Sequence, residues 1–346
     1  MRYNRVCLES VSHVLPDEAV TSAEIERRLA PLYERLRLPP GRLELMSGIR
    51  ERRFFEPGAR VSDLSTRAAE QAIRSSGLRP DSFGALVHGS VCRDFLEPAT
   101  ACRVHHTLGL PDACVIYDVS NACLGLMNGA VQIANMIELG QIRAGVVVGA
   151  ELGRPLVENT IARLNADETV TRASVKRWVA SLTIGSAAAA MVLCDASVSR
   201  TGNRLIAAAA HCGTAAHDLC QSEGLAEVMQ TDSEALLEAG LAAGEATYRR
   251  FREATGWAEG PTKTFCHQVG AAHRRGMLAR LGLSEKNDFA TYEWLGNTGS
   301  AALPSAVSLG VEAGRVEPGD RVGLLGIGSG VNCVMLGVEW RQTAVG

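Results

Sequence analysis

SNACLGLMNGAVQIANMIELGQIRAGVVVGAE, running from Ser120 to Glu151, is the stretch on which the fold turns. It opens in a loop of small residues and continues with helical spacing over Leu124 to Leu139. It then stops at Gly140 and closes in a Val/Gly run, so it reads as loop, buried helix and buried strand. A second stretch, LGNTGSAALPSAVSLGVEAGRVEPGDRVGLLGIGSG from Leu295 to Gly330, repeats that order. Two copies of one supersecondary unit point to a duplicated chain. The join is expected near Ala196, giving an N-terminal half of residues 1–195 and a C-terminal half of residues 196–346.

The rest of the chain agrees with an α/β class. Ala85 to Gly89, Ala144 to Gly149, Ala188 to Leu193 and Val322 to Ile327 are short apolar runs bounded by Gly or polar residues, as strands covered on both faces should be. Segments with helical spacing lie between them, including Ser65 to Ser76 and Ser233 to Ala254. Segments 152–180 and 213–240 are more polar and interrupt the alternation. Such insertions either cap a binding site or run over the surface as solvated excursions.

Composition narrows the function. The chain has 346 residues, a net charge of −3, 46% hydrophobic residues and no long Lys/Arg run, which argues against nucleic-acid binding. MRYNRVCLES carries no secretory apolar segment, and no window supplies the ~20 apolar residues of a membrane span. Ten cysteines without a CxxC suit a reducing compartment, so the cytoplasm is the expected location.

Cys123 sits where a strand ending near Val119 gives way to the helix after Leu124. The unpaired N–H groups of a helix start favour thiolate, so a lowered pKa and a nucleophile for thioesters are expected there. His267 follows the apolar strand ending in Phe265-Cys266 and precedes a helix starting near Ala271; Asn297 lies in a Gly-flanked turn. A histidine N–H and an asparagine amide are neutral donors suited to an enolate or oxyanion. His105 and His106 read as helix-surface hydrogen-bonding groups. The spacing of His211, Cys212, His217 and Cys220 matches no common zinc site, and GIGSGVN lacks the context of a dinucleotide loop. No metal or cofactor is expected.

Taken together, SGIRERRF (Ser47 to Phe54), DVSNACLG (Asp118 to Gly125), the strand-His267-Gln268 motif, GNTGSAALP (Gly296 to Pro304) and GIGSGVN (Gly326 to Asn332) resemble 3-oxoacyl-ACP synthase III of the thiolase superfamily, over nearly the whole chain. The resemblance implies a duplicated αβαβα five-layer thiolase fold and a homodimer. It also implies Cys123 as acyl acceptor, His267 and Asn297 as stabilisers of the second substrate's enolate, and the backbone N–H groups of Cys123 and Ser329 as the oxyanion hole. The substrates would be acyl-CoA or acyl-carrier-protein thioesters.

Three departures from the housekeeping enzyme are similar to the OleA branch, which condenses two long-chain acyl-CoA molecules without losing carbon dioxide. Glu97 stands where that enzyme has an apolar residue reaching toward the partner's site, NACLG and GIGSG replace more usual motifs, and Met46 replaces an arginine. Joining two plain acyl thioesters requires a base for the α-proton. A carboxylate in an apolar tunnel, with its pKa raised, fits that task. The resemblance therefore implies Glu97 as the base, reaching the partner's site. Alternatives are a decarboxylating synthase III using malonyl-ACP or malonyl-CoA, and a non-catalytic acyl-binding homologue.

Overall fold

A computed structural model describes residues 1–223, 228–267 and 269–342, which leaves Gln268 and part of the 213–240 insertion outside the described residues. Nine strands form one mixed sheet: β1 (Val6–Val14), β2 (Phe83–Gly89), β3 (Val115–Val119), β4 (Ala144–Glu151), β5 (Ala187–Asp195), β6 (Arg204–Cys212), β7 (Lys263–Cys266), β8 (Arg321–Gly328) and β9 (Asn332–Glu339). Their order is β7-β8-β9-β6-β1-β5-β4-β2-β3. The seam is thin, a single register pair between Cys7 of β1 and Arg204 of β6. Outward from it each side runs antiparallel, antiparallel, parallel: β1-β5-β4-β2 on one hand and β6-β9-β8-β7 on the other. The expected strands all form, extended by one or two residues at their ends.

The helices that matter here are α1 (Val61–Ser76), α2 (Thr100–Leu108), α3 (Gly125–Glu138), α4 (Gly153–Ala166), α5 (Ser233–Thr255), α6 (Ala271–Leu281) and α7 (Ala302–Glu312). Side-chain alternation on fully buried strands sorts them into layers. Ala187, Ala189, Met191 and Leu193 of β5 pack with Leu126, Ile133 and Ile137 of α3 and Val307 of α7. Their neighbours Ala188, Ala190 and Val192 face the other way, onto Leu64 and Ala68 of α1 and Val104 of α2. Leu325 and Met335 likewise turn from the central helices toward Leu241 and Phe251 of α5 and Met277 and Leu278 of α6. The sheet's two halves, on either side of the seam, thus form two layers, and the result is five, helix–half-sheet–helix–half-sheet–helix, with α3 and α7 in the middle.

The 152–180 insertion is not a surface excursion but part of an apolar cluster, to which the 213–240 insertion adds the buried Val228. Val157, Ile161 and Leu164 of α4, with Val175, Trp178 and Leu182 after it, join Ile25, Leu29, Leu32 and Leu43 near the N-terminus and Val228 of a short hairpin in a fourth apolar cluster. That cluster stands over one end of the sheet as a cap. Among the described residues no helix is long and apolar enough to cross a membrane.

Candidate active site

Beneath the cap lies a cavity of about 1000 Å³ lined by Cys123, Glu151, His267, His273, Asn297 and Ser329 among others. The insertions close it, through Leu156, Val179 and Ala180 from one and Cys220, Met229 and Leu237 from the other.

Cys123 is placed by a tight elbow between β3 and α3. Ala122 takes φ +46, a left-handed conformation unfavourable to a residue with a Cβ, while Leu124 N–H donates to Asn121 O at 2.9 Å and closes the turn. Asn121 anchors it sideways: its Nδ2 donates to Asn128 Oδ1 at 2.8 Å, and its Oδ1 accepts from Asn332 Nδ2 at 3.1 Å. This ladder ties the Cys123 elbow to the β8–β9 turn that contains Ser329. The turn lies so close that a Cβ on Gly328 would sit 3.4 Å from Cys123 N. Gly125 and Gly89 likewise bring the start of α3 onto the end of β2 with backbones in contact.

His267 follows β7, its N–H donating to Leu325 O at 3.0 Å. The side chain is 2% exposed, and neither ring nitrogen has a hydrogen-bond partner among the described residues. Burial, helped by nearby His273, pushes its pKa down to about 3, so the imidazole is neutral, with one N–H to donate. Asn297 is fixed by its own backbone, donating to Thr183 O at 3.0 Å and accepting from Gly185 N at 2.9 Å. Its Oδ1 accepts from Gly299 N at 3.0 Å, leaving the amide NH₂ as the end to face the cavity.

Cys123 corrects one expectation. Burial in the cavity, then the Glu151 carboxylate and Cys220, push its thiol up to about 12 rather than down. The field of a helix start is local and modest; loss of water and a facing carboxylate outweigh it. The resting group is a thiol.

Glu97 is not gathered into this cavity. It lies exposed in the loop after β2, beside Phe95 and Leu96, which are 60% and 93% exposed. Three lining residues carried no signal strong enough to single them out. Glu151 looks like an ordinary strand end, His273 like a helix-surface residue, and Cys220 like one of a Cys/His group whose spacing matches no common zinc site. An acid at the C-terminal end of a buried strand sits where α/β sheets open their ligand crevices, but that position alone does not separate Glu151 from a strand-end acid in solvent.

A model of the 3-oxoacyl-[acyl-carrier-protein] synthase III C-terminal domain matches residues 258–340, and one of the thiolase N-terminal domain matches residues 51–201. The chain is 42% identical to an acyl-CoA:acyl-CoA alkyltransferase of Shewanella oneidensis, over 98% of this chain and 100% of that protein. It is 34% identical to the acyl-CoA:acyl-CoA alkyltransferase of Xanthomonas campestris pv. campestris, over 98% and 100%. Crystal structures of Xanthomonas campestris OleA superpose with a TM-score of 0.94 at 33% identity, covering 98% of each chain. One, with a cysteine replaced by serine, holds lauric acid and lauroyl-CoA. Others carry replacements of a glutamate or a histidine.

Proposed function

Because the chain belongs to the OleA-type acyl-CoA:acyl-CoA alkyltransferases of the thiolase superfamily, we propose that it joins two acyl-CoA thioesters by non-decarboxylative Claisen condensation. The cavity that brings Cys123, His267 and Asn297 to one apolar-lined space is the observation that carries this reading. Lauroyl-CoA in a Xanthomonas relative's structure supports CoA thioesters with long acyl chains as the substrates. No dissociable cofactor enters the chemistry.

In the first half-reaction the Cys123 sulfur attacks the thioester carbonyl of one acyl-CoA. Backbone N–H groups of Cys123 and Ser329 hold the oxyanion, and coenzyme A leaves as a thiol carrying the proton that Cys123 gives up. In the second, the carbonyl of another acyl-CoA lies against the His267 N–H and the Asn297 amide, and Glu97 removes the α-proton. The enolate carbon then attacks acyl-Cys123 and expels the cysteine sulfur. The product is a 2-alkyl-3-oxoacyl thioester, and its hydrolysis gives a β-keto acid. A neutral His267 suits this step, since it can donate to the enolate without itself demanding a counter-ion.

Glu97 serves the partner's site in a homodimer. The exposed apolar residues around it, Val91 at 50%, Phe95 and Leu96, are surface that a second copy would cover. The repeated strand order on either side of the β1–β6 seam supports a division into halves 1–195 and 196–346, the first with the nucleophile and the second with His267 and Asn297. Ten free cysteines are in keeping with a cytoplasmic home.

The test is mass spectrometry of intact protein and products after incubation with lauroyl-CoA, with and without malonyl-CoA. An acyl adduct on Cys123 and product formed without malonyl-CoA are expected; product only with malonyl-CoA overturns the reading in favour of a decarboxylating enzyme. Glu97→Gln should acylate but not condense, and mixing it with Cys123→Ala subunits should restore partial activity if base and nucleophile lie on different chains.

A further inference from the structure

Glu151 ends β4, faces the cavity at 5% exposure, and is used by no step of the condensation. Its carboxylate is fully engaged. Oε1 accepts from Val91 N at 3.1 Å, Ser300 N at 3.2 Å and Ser300 Oγ at 2.5 Å, and Oε2 accepts from Cys92 N at 3.2 Å. Val91 and Cys92 are the root of the loop that carries Glu97. Ser300 closes the turn that begins at Asn297, and a Cβ on Gly299, at φ +57, would press on Glu151 Cγ at 3.0 Å.

We propose that Glu151 is a positioning residue, a carboxylate strut that ties the Glu97 loop to the Asn297 turn beside Cys123 and so sets the spacing between the nucleophile and the groups that handle the second substrate. The proposal rests on the function above. Hydrogen bonds to a charged acceptor are stronger than neutral ones, and buried backbone donors are costly to leave unpaired. A single acid joining three loop N–H groups and one hydroxyl is therefore a stiff joint.

The strut has an electrostatic consequence. Glu151 adds to burial in raising the Cys123 thiol, and Cys220, from the opposite wall, pushes the same way. His267 and His273, from β7 and α6, are held neutral by burial at about 3 and about 4. Lys176 and Arg177 stand on the exposed rim. The carboxylate thus opposes a resting thiolate.

Charge and reach can be separated. Glu151→Gln removes the charge and turns an NH₂ toward donors. The pH midpoint of Cys123 alkylation by iodoacetamide should move to lower pH, while lauroyl-CoA still acylates Cys123 and condensation falls tenfold or more. Glu151→Asp keeps the charge but is one methylene short, so the midpoint should stay near wild type while condensation still falls. A Gln variant with wild-type midpoint and wild-type condensation overturns the proposal. If Glu151→Gln does not fold, Ser300→Ala removes the hydroxyl shared between Glu151 Oε1 and Gly89 O while keeping the Glu151 charge: condensation should drop several-fold with the midpoint unmoved, and wild-type condensation overturns the proposal there. Acylation persisting in Cys123→Ala would instead sink the nucleophile assignment, a separate result.

Discussion

Gly125→Ala tests whether the placement of the nucleophile depends on the backbone contact between α3 and β2. A Cβ at Gly125 would lie 2.7 Å from Gly89 C, 2.9 Å from Gly89 O and 3.0 Å from Ser90 N, all main-chain atoms that cannot swing aside. Ordinary contact begins near 3.4 Å, so the start of α3 must retreat from β2 by about 0.7 Å. Alanine improves helix propensity by about 1 kcal/mol, whereas overpacking costs roughly 1–3 kcal/mol. The net loss is then at most about 2 kcal/mol. Unfolding entropy of about 2.1 cal/mol/K per residue over 346 residues is about 0.7 kcal/mol/K, so Tm should drop by no more than about 3 °C. Rate should suffer more. Cys123 lies just upstream of the displaced position, and a misplacement of about 1 Å costs on the order of 10²-fold. Acyl-enzyme formation, followed by quenched-flow mass spectrometry of the intact protein, should slow roughly ten- to a hundredfold in a folded enzyme. A variant that acylates at the wild-type rate would refute the argument that this contact fixes Cys123.

His267→Ala and Asn297→Ala should each acylate normally yet lose condensation by on the order of 10² or more; a near wild-type condensation rate would remove that residue from the site. Asn332→Ala breaks the 3.1 Å bond that ties Asn121 to the Ser329 turn. Acylation by lauroyl-CoA should slow roughly three- to tenfold while iodoacetamide alkylation, which forms no oxyanion, is unchanged; equal effects on both would argue against a role in shaping the oxyanion hole. His88 and His267, at 0% and 2% exposure, have folded pKa values lowered by burial to about 4 and about 3. Below pH 6.5 these two rings alone bind two protons in the unfolded chain that they refuse in the folded one, and His273, lowered to about 4, adds to them; stability is full above that pH and is lost as pH falls, at up to about 2.7 kcal/mol per pH unit near pH 5 from His88 and His267. Calorimetry from pH 7 to 5 should show falling Tm, and a flat profile would contradict neutral burial of these rings.

What the sequence exposes about this protein is what is encoded locally. The Ser120–Glu151 unit carries its own helix period, stop and strand, and its resemblance to Leu295–Gly330 fixes the fold because both must bury the same kind of helix between sheets. Cys123, Asn297 and Ser329 each sit in a turn of small residues beside an element boundary, so the motifs that carry the family resemblance are local and can be laid on them without tertiary knowledge. Glu151 shows the opposite case. Its four donors come from Val91, Cys92 and Ser300, on segments far apart in the chain, and no local pattern distinguishes an acid held by such donors from one ending a strand in solvent. The protonation of Cys123 fails to follow from the sequence for the same reason. The helix start that favours a thiolate is visible in the local residues, but the burial and facing carboxylate that outweigh it come from the cap and from β4. A protonated nucleophile beside a neutral histidine presents less charge to an apolar acyl chain than a thiolate–imidazolium pair would, and spares the desolvation of two ions.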